Sequence, residues 1–152
     1  ANEYVGLNNR MTDIHAAIGR VQLTKLAGWT KTRQENAAFL SANITEAVTP
    51  TVPEGYVHVY HQYTIRLEGV SGEERDRFVA ALKDEHQVGS GVYYPIPNHR
   101  LPSLAPYAPG LELPNTEKVA AECVSLPVHP SLSQADLERI VAGVNACAKA
   151  GA

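Results

Sequence analysis

Apolar and polar positions change their period several times along the chain, and each change marks an element. Residues 12–49 are rich in Ala, Leu, Gln, Lys and Glu, with no proline before Pro50, which predicts a helix. Thr12 with Asp13 supplies its start, because a hydroxyl accepts from the free amides of a first turn. The helix is expected to reach Ala27 and to continue past Gly28 to about Ile44. Its first half carries two apolar stripes at about 100° per residue. Ile14, Ala17, Ile18 and Val21 form one; Ala16, Leu23, Leu26 and Ala27 lie mostly opposite. A surface helix has one stripe, so two predict burial from both sides, by a partner subunit or by more of the same polypeptide.

Pro50 to Gly55 reads as a turn or linker. The period then drops to two: Val57, Val59, His61, Tyr63, Ile65 and Leu67 share one face, and Tyr56 to Arg66 alternate on the other. This predicts a strand over 56–67. Ser71-Gly-Glu-Glu74 is a capping box, followed by a helical face of Phe78, Val79 and Leu82. Residues 87–94 suggest a turn and a short strand. Six prolines among residues 95–114 force an extended loop, of a length that in compact domains is usually functional. A short helix from Asn115 or Thr116 to about Cys123, a third strand over 124–127, and a last helix capped by Ser133 with Asp136 complete the pattern. Leu137, Ile140, Val141 and Val144 form the core face of that last helix. The expected class is α/β (α+β): a long N-terminal helix, then a small three-layer-like domain with a short, mainly antiparallel sheet.

Composition narrows the function classes. The 152 residues are 44% hydrophobic and 19% charged with a net charge of −3, as in a globular domain. No apolar run approaches the roughly 18 residues of a membrane span, and residues 1–10 look like neither a signal nor a transit peptide. No basic stretch offers the footprint of sequence-independent nucleic-acid binding. The densest charge cluster, Glu73 to Arg77, mixes signs and reads as a solvated helix face. Residues 23–34 have a faint helix-turn-helix flavour but neither a clear turn nor a basic recognition helix. Cys123 and Cys147 read as two buried thiols in a reducing compartment, which makes the cytoplasm the expected location.

Chemistry concentrates in two places. His58 and His61 sit at an odd offset, so on a strand they face opposite ways and cannot grip one metal; no metal site is expected. Gly89-Ser-Gly91 is too short for a phosphate loop. Gly6-Leu-Asn8-Asn9-Arg10, just before the long helix, can aim an amide, a guanidinium and helix-start N–H groups at an anion, or can simply cap its own helix. Gly91-Val-Tyr93-Tyr94-Pro95-Ile-Pro97-Asn98-His99-Arg100 places aromatic and hydrogen-bonding groups on a proline-braced loop. That suits a polar small molecule, with a surface loop and a packed Tyr93 as the plain alternative.

At these two segments the sequence resembles the DegT/DnrJ/StrS-type, pyridoxal-phosphate-dependent nucleotide-sugar aminotransferases. Gly6-x-Asn8-x-Arg10-Met11, Ala16-Ala17-Ile18-Gly19 and Gln22-Leu23 look like the family's segment after its cofactor lysine. Tyr94-Pro-x-Pro97-x-His99 resembles its substrate-loop motif, and Leu113-Pro114-x-Thr116-Glu117, Ser125-Leu-Pro-Val128-x-Pro130 and Leu132-Ser133 its closing segments. Asn9 and Leu101 depart from the pattern, standing where an aromatic residue and a Gln are frequent.

The resemblance implies the C-terminal part of a fold-type I enzyme. Residues 1–49 would be the tail of the large cofactor domain with its connecting helix, and 50–152 the small domain. It implies pyridoxal phosphate as cofactor, with Asn8 reaching the cofactor phosphate of a neighbouring subunit and Arg10 supporting it or the anionic substrate. Tyr94, Asn98 and His99 would lie at the sugar nucleotide. The implied partners are a second copy, joined through the N-terminal helix region, and a preceding large domain bearing the Schiff-base lysine. None of Lys25, Lys31, Lys83, Lys118 and Lys149 stands in the family's lysine context, so no catalytic residue is assigned here and the chain alone is expected not to transaminate. A non-catalytic dimerisation remnant and a sugar-nucleotide sensor are the alternatives.

Overall fold

The computed structural model describes residues 9–150. Four helices dominate, with a long one first and a two-stranded antiparallel sheet. Helix α1 spans Asp13–Asn43 without a break at Gly28, and Thr12 Oγ1 accepts from the His15 amide as its cap. Only the second half of α1 packs: Asn36, Ala37 and Leu40 are buried. Its first half stands clear of the rest, with Ile14, Ile18, Val21, Leu23 and Leu26 between 50% and 74% exposed. Both apolar stripes are therefore bare in this chain.

Strand β1 (Tyr63–Arg66) pairs with β2 (Cys123–Leu126), Tyr63 opposite Leu126 and Arg66 opposite Cys123. Single bridges widen this sheet on each side, Val48 with Arg66 and Gly91 with Ser125. The expected strand over 56–67 is thus a third as long as its alternation suggests. Tyr60 adopts a left-handed backbone (φ 46°) and donates its N–H to His58 Nδ1 at 2.8 Å. That local bond offers the backbone an alternative to a ladder. Gln34 Nε2 takes the His58 carbonyl and Arg33 Nη1 the Tyr60 carbonyl, which holds the segment on α1. Val57 consequently ends 81% exposed instead of facing the core. The short strand expected within 87–94 amounts to the bridge at Gly91.

Helix α2 (Gly72–His86) begins with the expected capping box: Ser71 Oγ accepts from the Glu74 amide, and Glu74 accepts from the Ser71 amide at 2.7 Å. Arg75 corrects the expectation of a solvated charge cluster. It is buried, and its Nη1 donates to the carbonyls of Ala120 (2.6 Å) and Ala121 (3.3 Å) at the end of α3 (Pro114–Glu122). Those carbonyls lack helical partners, so the guanidinium satisfies them and fixes α3 against α2. Helix α4 (Gln134–Ala150) starts with Ser133 and Asp136 exchanging the same pair of bonds. From α4, Asn145 accepts from the Thr45 amide and donates to the Asn43 carbonyl, closing the end of α1.

One core joins these elements. Leu40 and Ile44 of the α1 end, Tyr63 and Ile65 of β1, Phe78 and Leu82 of α2, Val124 of β2, and Leu137, Ile140 and Val144 of α4 are all buried in it. The sheet's other face carries Thr64, Cys123 and Ser125, and it is there that the proline-rich segment folds over.

Candidate functional site

Alternation along β1 and β2 sends Tyr63, Ile65, Val124 and Leu126 into the core and leaves Thr64, Cys123 and Ser125 on the opposite face. Thr64 Oγ1 and Ser125 Oγ share a hydrogen bond of 2.8 Å across the strands. The far wall is built from Pro97, Asn98 and His99, from Leu113, and from Thr116, Val119 and Ala120 of α3. Together with Gln62 and residues 91–94 these groups enclose a cavity of about 570 Å³, within the range of small-molecule sites. Its walls are mostly apolar, with polar groups at the floor and at one end.

The proline-rich segment that covers it is not wholly irregular. Residues Asn98–Arg100 and Ala105–Tyr107 each form one 3₁₀ turn, the tight geometry that short, proline-bounded stretches favour. Tyr93 and Tyr94 follow the Gly91 bridge and are both largely exposed, so Tyr93 is not the packed residue of the plain alternative. The His99 side chain, by contrast, is only 5% exposed, and its Nε2 lies 2.8 Å from Glu117 Oε1. The same oxygen accepts from Arg100 Nε and Nη2 at 3.1 and 2.8 Å. These donors, His99 first and Arg100 next, hold the Glu117 carboxyl down at about 2. Burial pushes the Cys123 thiol on the cavity floor above its ordinary value, which makes it a poor nucleophile.

Tyr94, Asn98 and His99, the expected substrate residues, therefore line one cavity. Arg10 is exposed ahead of α1 and outside the cavity lining, and Asn8 lies outside the described residues. Glu117 was not expected as a site residue. Its link to His99 spans 18 residues of sequence, and only a fold that lays α3 along the loop brings them together. Thr64 and Ser125 are equally silent in sequence, being ordinary strand residues until the pairing register sets them opposite each other.

Among the described residues no group of three His, Cys, Asp or Glu side chains could hold a metal ion. The strand argument against a His58–His61 pair does not apply, since neither residue is in a strand; His58 Nδ1 is instead occupied by the Tyr60 amide. Both cysteines are free thiols, Cys147 buried and Cys123 half-buried. No helix among the described residues is long and apolar enough to cross a membrane.

Comparison with known proteins decides the kinship. The model of the DegT/DnrJ/EryC1/StrS aminotransferase family matches residues 1–145. The chain belongs to this family. It is 38% identical over 144 residues to a pleiotropic regulatory protein of Geobacillus stearothermophilus, covering 90% of this chain and 37% of that one. It is 30% identical over 146 residues to the dTDP-3-amino-3,6-dideoxy-alpha-D-galactopyranose transaminase of Aneurinibacillus thermoaerophilus, covering 95% of this chain and 38% of the enzyme. Among solved structures, NtdA of Bacillus subtilis with bound cofactor PMP superposes with a TM-score of 0.82 at 27% identity, over 95% of this chain and 34% of that one. The chain thus spans less than two fifths of the length of these relatives.

Proposed function

We propose that this chain is the C-terminal part of a pyridoxal-phosphate-dependent aminotransferase that moves an amino group from glutamate onto a keto-sugar nucleotide. The observation that carries the reading is the cavity shared by Tyr94, Asn98 and His99, three residues of the one loop whose motif resembles the family's substrate loop. In this reading residues 1–49 are the tail of the cofactor domain with its connecting helix, residues 50–152 are the small domain, and two copies join through the α1 region in the cytoplasm.

The chain's residues fit one end of the cofactor. Arg10 is an exposed guanidinium beside the positive end of α1, a setting that favours a phosphate. They do not fit its reactive end. Lys25 leans over the Trp29 ring, Lys31 pairs with Glu35, Lys118 with Glu122 and Lys149 with Glu46, and no lysine lines the cavity. Pyridoxal phosphate, when bound, supplies the electron sink for breaking a C–H bond at the amine-bearing carbon. This chain's part is to bind and orient. Tyr94 offers a flat ring at the cavity mouth, Asn98 an amide, and the Thr64–Ser125 pair hydroxyls that can meet those of a sugar. The prolines keep the cover stiff, so little ordering is lost when a ligand seats.

The test is transfer of label from 15N-glutamate by the native polypeptide supplied with pyridoxal phosphate and a keto-sugar nucleotide. Label on the sugar, with Tyr94→Ala raising KM several-fold, is expected. Transfer to simple keto acids but never to the nucleotide would refute the substrate class. A second reading, a sugar-nucleotide-responsive regulator, is favoured by the 38% identity to the Geobacillus pleiotropic regulatory protein. It predicts thermal stabilisation by a sugar nucleotide without turnover; no shift at saturation removes it.

A further inference from the structure

A single carboxylate oxygen outside the loop closes it. Glu117 Oε1 accepts from His99 at 2.8 Å, twice from Arg100, and from the Leu113 amide at 3.4 Å. The donors come from both sides of the proline-rich stretch, so one atom on α3 pins residues 99–113 over the cavity. Arg75, holding the other end of α3 through two carbonyls, fixes the helix that carries Glu117.

This arrangement determines more than position. An ionised carboxylate only accepts, so the hydrogen between it and His99 must sit on Nε2, and the neutral ring then has a bare Nδ1. Glu117 stays ionised through the range in which histidine titrates, because its donors hold it at about 2. Nδ1 has no hydrogen-bond partner among the described residues. The buried side-chain polar atoms left unpartnered there are Ser90 Oγ and Glu122 Oε2, so Nδ1 retains accessible surface while its ring lines the cavity. We propose that Glu117 is a positioning residue that fixes His99 as a hydrogen-bond acceptor through Nδ1, so that the site selects a ligand hydroxyl or amide N–H there. This rests on the cavity being the sugar-nucleotide site.

The experiment is long-range 1H–15N correlation on the native polypeptide labelled with 15N-histidine, His99 being assigned by loss of its signals in His99→Gln. Without ligand, the neutral ring should show hydrogen on Nε2 and a bare Nδ1. In Glu117→Gln the two tautomers should mix, and Glu117→Asp, which keeps the charge, should restore part of the preference. A folded protein with its histidine hydrogens elsewhere unchanged separates this from general loosening. Added dTDP-glucose or UDP-N-acetylglucosamine should shift the bare Nδ1 signal, and Glu117→Gln should raise KM several-fold with a smaller change in kcat. Hydrogen on Nδ1 in the unaltered protein overturns the proposal whether or not Glu117→Gln folds. So does a bare Nδ1 that a bound sugar nucleotide leaves unmoved. Failure of both nucleotides to bind at all overturns the cavity reading instead, and is distinguishable because the tautomer is read with no ligand present.

Discussion

Glu74, Asp136 and Glu117 are carboxylates at helix starts, each held below its ordinary range in the folded chain. For Glu74 the main cause is the Ser71 amide, for Asp136 the Ser133 hydroxyl, and for Glu117 the His99 ring. A depressed folded value means that each contributes stability that is complete above the unfolded value, about 4. That stability is lost as pH falls through the folded value, which for Glu117 extends to about 2. Melting temperature is therefore expected to hold from neutral pH to about 5 and then decline towards pH 2, and Glu74→Gln should make that acid limb shallower. Thermal melts across this range check it; parallel curves for the two proteins would count against the cap. At this scale the sequence was readable where partners are three residues apart, as in Ser71 with Glu74. It was unreadable where they are distant: nothing local marks Glu117 as the partner of His99, or Arg75 as a buried cap for α3 instead of a solvated charge.

Elements are legible by their period except where a local bond competes. The 31 residues of α1 follow from composition and the absence of proline. Alternation over 56–67 identified β1, but alternation does not reveal that His58 captures the Tyr60 amide and turns the backbone left-handed, which leaves residues 56–62 outside the sheet. The short strand expected within 87–94 is reduced to the bridge at Gly91 for a related reason: after Gly91, Tyr93 and the prolines lead the chain away from β2. Packing between elements also sets a prediction that propensity alone would reverse. A Cβ on Gly143 of α4 would lie 3.0 Å from His86 Cβ and Cγ and 3.2 Å from Leu82 Cδ2 of α2. Helix propensity favours alanine by about 1 kcal/mol, whereas forcing a methyl into a packed contact costs about 1–3 kcal/mol. The His86 Cβ cannot rotate away, so packing wins and Gly143→Ala should destabilise by about 1 kcal/mol in urea unfolding. Gly28→Ala, where a Cβ meets nothing within 4 Å in this chain, should be neutral or stabilising. Equal midpoints for the two variants would contradict this account of the α2–α4 contact.

On the scale of the whole molecule, the first half of α1 is the feature that the chain by itself leaves unexplained. Exposure of Ile14, Ile18, Val21, Leu23 and Leu26 on two faces exceeds what scattered surface hydrophobics account for. In the proposed enzyme, a second copy and the preceding domain cover those faces. Val21→Asp in the native polypeptide should then shift a dimer towards monomer in light scattering while leaving far-UV helicity intact; an undisturbed dimer would place the interface elsewhere. The two stripes were visible in sequence, as was the need for a cover, because periodicity reports which faces are apolar. What covers each face is not written in these residues, since complementarity lies in the partner.

In the proposed function these residues are the back part of a working aminotransferase. The most direct test of this reading is the intact mass of the native polypeptide after borohydride reduction. The account predicts a mass well above 16.4 kDa that includes a reduced pyridoxyl-phosphate adduct on a lysine outside the five of this chain. A polypeptide near 16.4 kDa without an adduct would contradict it.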